Sequence, residues 1–385
     1  MSDIWGEFIK DTIKYILLFG MPIIPAALLS TQDKTTRLLR NCGIVNKDGN
    51  IPKLIKKETR HYGYDIEFKL PAGICLSDFE KQQQEIEQYL DGEVQFEYKD
   101  RHIIVKVHTG KLEERYDYEP KELKGTTLLI GMSRNGLITL TLDDENPHLL
   151  IAGMTGSGKS MLLRSMIVNL ILTGRNILIH LADLKAGAEF GIYEMSSAIT
   201  TFTQNIEDTL ELLKMLDGEM MKRYSMFRET GVVNIEEYSR EHKKIPEHVL
   251  FIDEFANIAE EDKECLKYLK RLLRMARACG IHIILCTQRP DSQTVPGAIK
   301  NNVGARIALY CSDPVNSRII IDSDKAAYLT GNGHGILHTK NDVEFRGFYL
   351  ETEDAKKLIK HTMRKLIKQI DDTSGVISLD DYAKR

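Results

Sequence analysis

The chain of 385 residues carries six cysteines, Cys42, Cys75, Cys265, Cys279, Cys286 and Cys311, and no two of them form a C-x-x-C pair or stand at zinc spacing. This excludes a disulfide scaffold and a structural zinc ribbon, and reads the thiols as reduced and mostly buried in a cytosolic body. Charge of one sign is lacking too. With 52 Lys and Arg against 56 Asp and Glu, the formal net charge of −4 excludes a surface coated with basic residues, although a nucleic-acid site confined to one groove or pore would not register in that sum. No internal repeat, low-complexity run or nucleophilic triad is present. His334 and His338 are four residues apart, but the glycine-broken stretch "GNGHGILH" gives them no fixed helical face, so they are not read as a metal pair.

Long hydrophobic runs are scarce. The uncharged stretch "YILLFGMPIIPAALL", Tyr15 to Leu29, is shorter than the ~20 residues a spanning helix needs and contains Pro22 and Pro25. It reads as half a membrane segment or as a buried hydrophobic arm. Lys34, Arg37, Arg40, Lys47, Lys53, Lys56 and Lys57 follow it, and by the positive-inside bias they would hold the body on the cytoplasmic side. The expectation is a cytoplasmic body attached to the inner face of the membrane, or to a transfer apparatus, through this segment. No small-residue cleavage site argues for a removed signal peptide.

What is present is apolar content, 42% of the chain, enough for two or three domains. Residues 1–40 are read as the hydrophobic N-terminal segment and 41–120 as a small α+β domain. There "YDIEFKL" alternates as a strand, Ser77 with Glu80 forms a capping-box start for a helix reaching Leu90, and "VQFEY" and "IIVKVH" fit a strand pair. The charged stretch from Gly110 to Gly125 reads as a linker. Residues 121–350 change texture: short apolar runs alternate with long helical patterns, the signature of a mainly parallel α/β sheet covered on both faces. Residues 351–385 hold one helix and a tail.

Within that region "GMTGSGKS", residues 153 to 160, fits G-x-x-x-x-G-K-[ST]. The glycines allow unusual dihedrals and bring no Cβ to block a phosphate, so the backbone N–H groups can turn toward one centre. The buried strand "HLLIAG" precedes it and the apolar helix "SMLLRSMIVNLILTG" follows, which places the loop at a helix N-terminus suited to anions. Gly153, Thr155, Gly156, Ser157, Gly158, Lys159, Ser160 and Met161 are therefore the candidate ATP contacts. Lys159 would reach the β/γ-phosphates and the Ser160 hydroxyl would bind Mg²⁺.

A second apolar strand, "HVLFIDEF", ends in Asp253 and Glu254. At the carboxyl edge of a parallel sheet these fall beside the phosphate loop, Asp253 holding magnesium through water and Glu254 polarising the attacking water as general base. A third, "IHIILCTQRP", places Gln288 where a polar side chain senses the γ-phosphate.

Taken in order, "HLLIAGMTGSGKS", "LADLKAGAEF", "EMMKRYSMFRETGVVNIEEY", "HVLFIDEFAN", "ARACGIHIILCTQRPDS" and "GARIALYCSDPVNSRIIID" resemble the motor domain of the FtsK/SpoIIIE family of ATP-driven DNA translocases, over about residues 124 to 350. The resemblance implies a RecA-like P-loop ATPase that assembles as a homo-hexameric ring and threads double-stranded DNA through its centre. The chain after Leu350 is too short for the winged helix that reads polar sequences in chromosome-segregating members. The N-terminal organisation is more similar to FtsK-like coupling proteins of Gram-positive conjugative elements and plasmids. Relatives often carry a lysine in an S-S-K-x-D-S-R stretch facing DNA; here the line runs Ser312, Asp313, Pro314, Val315, Asn316, Ser317, Arg318, so that contact does not carry over.

Ring motors complete each active site with an arginine from the neighbour, since a cation against developing charge raises the rate by orders of magnitude. Arg306 and Arg318 are the candidates, with Arg289 a weaker third. For DNA contact the loops bearing Lys185, and Lys300 with Asn301, are the natural positions. Two other classes stay open: a type VII-like protein-secretion ATPase, whose tandem arrays contrast with the single phosphate loop here, and a non-motor nucleotide-binding adaptor, against which Glu254 argues.

Overall fold

A computed structural model describes residues 35–60, 62–110, 112–173, 176–194, 196–291 and 294–360. The hydrophobic segment 15–29 lies outside them. Among the described residues no helix is long and apolar enough to cross a membrane. The chain divides into two compact units, the first ending at Lys111 and the second beginning at Leu112.

In the first unit, β1 (Lys53–Arg60), β2 (Gly63–Lys69), β3 (Glu93–Lys99) and β4 (His102–His108) form an antiparallel sheet in the order β1-β2-β4-β3. Alternation along β2 and β4 sends Ile66, Phe68, Ile103, Val105 and Val107 into one core with Phe79 and Ile86. The helix expected to run from Ser77 to Leu90 is instead two helices, Leu76–Glu80 and Gln83–Leu90. The cap is Cys75, whose N–H donates to the Asp78 carboxylate at 2.9 Å. The chain then tightens, Gln82 N–H donating three residues back to the Phe79 carbonyl at 3.0 Å. This break allows both Phe79 and Ile86 to reach the sheet, each only 1% exposed.

The second unit is built on a ten-stranded sheet. Its strands are β6 (Thr127–Ser133), β7 (Gly136–Thr141), β8 (Leu149–Ala152), β9 (Ile177–Asp183), β10 (Ile199–Thr203), β11 (Glu247–Asp253), β12 (Ile281–Thr287), β13 (Ala305–Leu309), β14 (His334–His338) and β15 (Asp342–Arg346), and β5 (Tyr116–Asp117) pairs separately with β16 (Phe348–Tyr349). The order β10-β9-β11-β12-β8-β13 is parallel throughout, and β14-β15-β6-β7 extends it in antiparallel fashion. Every residue of β8 and β12 is buried, as are His248 to Asp253 of β11, which is why these strands read as unbroken apolar runs. One face is covered by the helices Ile206–Thr230 and Lys263–Met275, the other by Lys159–Thr173.

From Leu112 onward the stretch read as a linker is part of this unit. β5 lies parallel to β16, Tyr118 N–H donates to the Tyr349 carbonyl at 2.9 Å, and Asn169 on the helix Lys159–Thr173 accepts from the Tyr118 hydroxyl at 3.2 Å and from Lys121 N–H at 2.9 Å. The aromatic body of Tyr118 packs on the core while its hydroxyl finds a partner, so residues 116–121 strap that helix.

Several buried histidines sit in the sheet. His180 Nε2 lies 3.0 Å from His248 Nδ1, with the two rings stacked. Burial pushes His180 down to about 4, and His148 and His248 down to about 3, the last two helped by neighbouring positive or imidazole groups. In the unfolded chain the same groups titrate near 6.5, so below that pH the unfolded state binds protons that the folded state refuses. Stability should therefore be full above about pH 6.5 and decline as the pH falls toward 4, by up to about 1.4 kcal/mol per pH unit for each group. Urea unfolding of the chain between pH 7.5 and 5, above the range of ordinary carboxylates, should show a falling midpoint; a level midpoint would contradict this assignment.

Candidate nucleotide site

Strand register brings three segments to one end of the sheet. Ala152 at the end of β8 is level with Thr287 of β12, and Ile252 of β11 is level with Leu285, so the chain leaves all three strands side by side at Gly153, Gln288 and Asp253. The loop 153–160 is held there by its backbone. Gly153 N–H donates to the Thr287 carbonyl at 3.3 Å, Met154 N–H to the Tyr310 carbonyl at 3.1 Å, and Ser157 N–H to the Met154 carbonyl at 3.0 Å.

Gly158 has φ +100°, and a Cβ there would lie 2.1 Å from the Gly333 nitrogen. The reason is a second loop, Gly331–Asn332–Gly333, all at positive φ, that docks on the first: Gly333 N–H donates to the Ser157 carbonyl at 2.8 Å, and Gly347 N–H donates to the Gly333 carbonyl at 2.8 Å. Gly156 is different. At φ +80° it also needs a left-handed backbone, yet open space surrounds its missing Cβ.

Lys159, 3% exposed, turns its ammonium onto Oδ1 of the fully buried Asp253. Burial alone would lower the Lys159 pKa, but the negative groups facing it hold it above the ordinary lysine value. The adjacent Cys286 thiol is itself pushed far up by burial and stays neutral, so Asp253 and Glu189 supply that charge. Glu254 adopts φ +54°, a conformation rare for a residue with a side chain, and its carboxylate accepts from the Thr287 hydroxyl at 2.8 Å and from Gln288 N–H at 3.1 Å. The Gln288 side-chain oxygen accepts from the Thr155 hydroxyl at 2.8 Å. Lys159, Asp253, Glu254, Gln288 and Thr155 are thus connected, a cation, two carboxylates and an amide at the mouth of a glycine loop.

Lys185, expected among the DNA contacts, sits instead on the two carboxylates, 3.1 Å from Glu254 Oε2 and 3.4 Å from Asp253 Oδ2. Buried Asp183 at the end of β9 explains this: its carboxylate accepts from Lys185 N–H at 3.1 Å, Glu189 N–H at 2.8 Å and Phe190 N–H at 2.6 Å, folding the loop back over the site. The same fold delivers Glu189, which accepts from the Ser160 hydroxyl at 2.6 Å. The sequence patterns above do not single out Asp183, Glu189 or the 331–333 loop. Their signals were the acid at each end of "DLKAGAE" and the glycine spacing in "GNGHG".

The remaining candidates lie apart. Met161 Sδ accepts from Leu350 N–H at 3.1 Å, on the strap side. Arg306, near the start of β13 and level with Leu150, donates to Asp322 at 2.9 Å and to the Ile320 carbonyl at 2.8 Å. Lys300 joins it on Asp322 at 2.6 Å, and Asn301 is exposed at the end of the helix Gly297–Lys300. Arg318 is 57% exposed and pairs with Asp324 at 3.1 Å, and Arg289 is more exposed still. His334 and His338 bind Glu344 and Asp342 at 2.6 and 2.7 Å, and among the described residues no group of three or more His, Cys, Asp or Glu is placed to hold a metal ion.

Comparison with known proteins agrees with this geometry. Residues 111–292 match the FtsK/SpoIIIE family. The DNA translocase FtsK of Bacillus cereus is 31% identical over 274 residues, 66% of this chain and 34% of that protein. The structure of the pCW3 conjugation coupling protein TcpA, a monomer form with ATPgS, superimposes with a TM-score of 0.60 at 25% identity, covering 86% of this chain and 99% of that one. The cytoplasmic domain of the type VII secretion ATPase EccC of Thermomonospora curvata shares the fold, with a TM-score of 0.55 at 24% identity over 62% of this chain and 31% of that one. The fold is that of the P-loop ATPases. This chain spans 34% of the length of curated relatives it matches.

The two glycines separate backbone strain from crowding. Gly156→Ala should cost about 1 kcal/mol, the price of a left-handed alanine in open space. Gly158→Ala should cost about 3 kcal/mol, because the new methyl also drives the 331–333 loop off the first. Equal unfolding midpoints for the two variants would show that the loops are not packed together.

Proposed function

We propose that this chain, whose residues 111–292 form an FtsK/SpoIIIE domain, is an ATP-driven motor that moves double-stranded DNA in the transfer of a mobile element. The observation that carries the reading is the convergence of Lys159, Asp253, Glu254 and Gln288 on one glycine loop. The likeness to a conjugation coupling protein over nearly the whole of its solved chain supports the process, and the likeness to a DNA translocase supports the cargo.

ATP supplies what the site is short of. Lys159 is occupied by Asp253, and a phosphate oxygen offers the ammonium a second anion, so that Lys159 leaves the carboxylate for the nucleotide. Magnesium fits the residues present: the Ser160 hydroxyl, the freed Asp253 carboxylate and Glu189 are hard oxygen donors but form no closed cage, as suits an ion that keeps several waters and arrives with the phosphates. Held there, Mg²⁺ would supply charge neutralisation on the phosphates. Glu254, aimed by its own backbone and fixed by Thr287 and Gln288, accepts a proton from the attacking water once Lys185 withdraws. Gln288 reports the state of the loop through Thr155.

A homo-hexameric ring, which the family resemblance implies, is the reading in which a neighbour completes the site with an arginine. Neither Arg306 nor Arg318 reaches the loop from within: Arg306 lies level with Leu150, toward the far end of the strand that carries the loop, and Arg318 points to Asp324, while Arg289 turns to Glu260. One of Arg306 and Arg318 is proposed to serve a neighbour's site instead. Arg318, the more exposed, needs to break only a surface pair, whereas Arg306 must give up Asp322 and a backbone carbonyl.

ATP turnover measured with and without duplex DNA tests the proposal. Duplex DNA should raise turnover, Lys159→Ala should abolish nucleotide binding, and Glu254→Gln should keep binding while losing about 10²–10⁴-fold in turnover. Wild-type turnover in the Glu254→Gln protein would remove the hydrolytic assignment, and turnover indifferent to DNA would remove the motor.

A further inference from the structure

The acidic balance of the chain conceals a split of charge between the two faces of the ten-stranded sheet. Along the helix Lys263–Met275 and the turn that follows, residues 263–277 hold six bases against one acid, Glu264. Lys263, Lys267, Lys270 and Arg274 recur at intervals of four, three and four, which sets them in one row about 16 Å long on the side of the helix opposite buried Cys265, Leu269 and Leu272. None of these four has a hydrogen-bonding or ionic partner among the described residues, whereas Arg271 and Arg277 beside them pair with Asp217 and Asp144.

The other face of the sheet carries the reverse charge. There the strap and the residues leading into it, 112–122, hold five acids against two bases, and the parallel pairing of β5 with β16 lays them beside Glu351, Glu353 and Asp354. Glu113, Glu114, Glu119 and Glu122 are exposed, and Glu113 and Glu122 form no ion pair among the described residues.

We propose that the basic row is an interface for a second copy of this chain, seated on that copy's acidic strap. The proposal rests on the ring reading and names the surfaces that would build the ring. Three observations carry it. The two surfaces are complementary in charge and lie on opposite sides of one sheet, so a copy engages one neighbour with its row and another with its strap, and such head-to-tail contact propagates until it closes. The row stays unpaired in a chain whose acids outnumber its bases, so its charges are available to a neighbour. The strap also adjoins the phosphate loop, since Glu114 and Arg115 line one cavity of about 340 Å³ with Gly158 and Met161, and the helix Pro314–Ile321, which bears Arg318, rests through Ile320 and Ile321 on the same core as the helix of the row. The contact that joins row to strap therefore carries Arg318 to the side of the neighbour on which the loop lies.

Sedimentation velocity of the full chain with a non-hydrolysable ATP analogue, at low and high salt, tests this. Lys267→Glu with Lys270→Glu should raise the protein concentration needed for assembly about tenfold, and Glu113→Lys with Glu122→Lys should do the same, because each sets like charges face to face. Mixed in equal amounts, the two proteins should assemble again, since the acidic row of one meets the basic strap of the other and the unaltered surfaces still match. A single chain carrying all four substitutions should assemble as well, and high salt should weaken the wild-type ring and the mixture alike. Rings undiminished in both variants, or variants that fail singly and stay apart when mixed, overturn the proposal. Loss of affinity for duplex DNA in the protein with the reversed row, with assembly unchanged, assigns the row to DNA and overturns it too. A wild-type chain that remains a monomer removes the ring and this interface with it, whereas rings indifferent to all four substitutions remove the interface alone.

Discussion

The second unit is organised around a buried ion pair that crosses a strand. Lys159 starts a helix behind β8, Asp253 ends β11, and β12 lies between those two strands. An ammonium and a carboxylate almost fully out of water require each other, and removing one partner of such a pair costs about 3–5 kcal/mol because the other is left uncompensated. The pair therefore fixes what surrounds it. β12 must end beneath it in short polar residues, here Thr287 and Gln288, and both bond the neighbouring Glu254. The loop must lie low enough for Lys159 to reach across, which requires the missing Cβ atoms at Gly153 and Gly158. A ligand with phosphate oxygens competes for that one ammonium, and the rest of the site responds to the outcome.

Much of this was legible because the strands involved are buried on both faces. "HLLIA", "HVLFID" and "IHIILCT" have no alternation to confuse with a surface strand, and the first stops at a glycine and the other two at a polar residue where the sheet ends. The loop pattern added the chemistry, since a glycine-rich octet between such a strand and an apolar helix has few other uses. Contacts between segments distant in sequence were not legible. Lys185 reads as a free basic loop residue, and only the three N–H groups gathered by Asp183 turn it toward Glu254. Nothing in the charge of residues 110–125 announces that Tyr118 will find Asn169. The cap at Cys75 escaped because cysteine is an unusual N-cap, and Ser77 two residues on offered a more familiar one.

The loop is thus clasped from two sides by unlike chemistry. Toward β11 and β12 it meets charge, with two lysines and three carboxylates in mutual contact or through Ser160. Toward β16 and the 331–333 loop it meets glycine backbone and aromatic rings. Lys185 links the first side to the β9 loop through its contacts with Asp253 and Glu254, while the second side is held by backbone hydrogen bonds. That division suits a motor, in which the reacting end changes state at each turnover and the binding end does not.

Movement along DNA is the claim on which the functional account stands, and displacement of a third strand from duplex DNA measures it directly. The chain should release a triplex-forming oligonucleotide bound to a long duplex when ATP is present, and fail to release it with a non-hydrolysable analogue or in the Glu254→Gln protein. Release that proceeds equally without hydrolysis, or no release from a protein that hydrolyses ATP in response to the same duplex, would contradict the account.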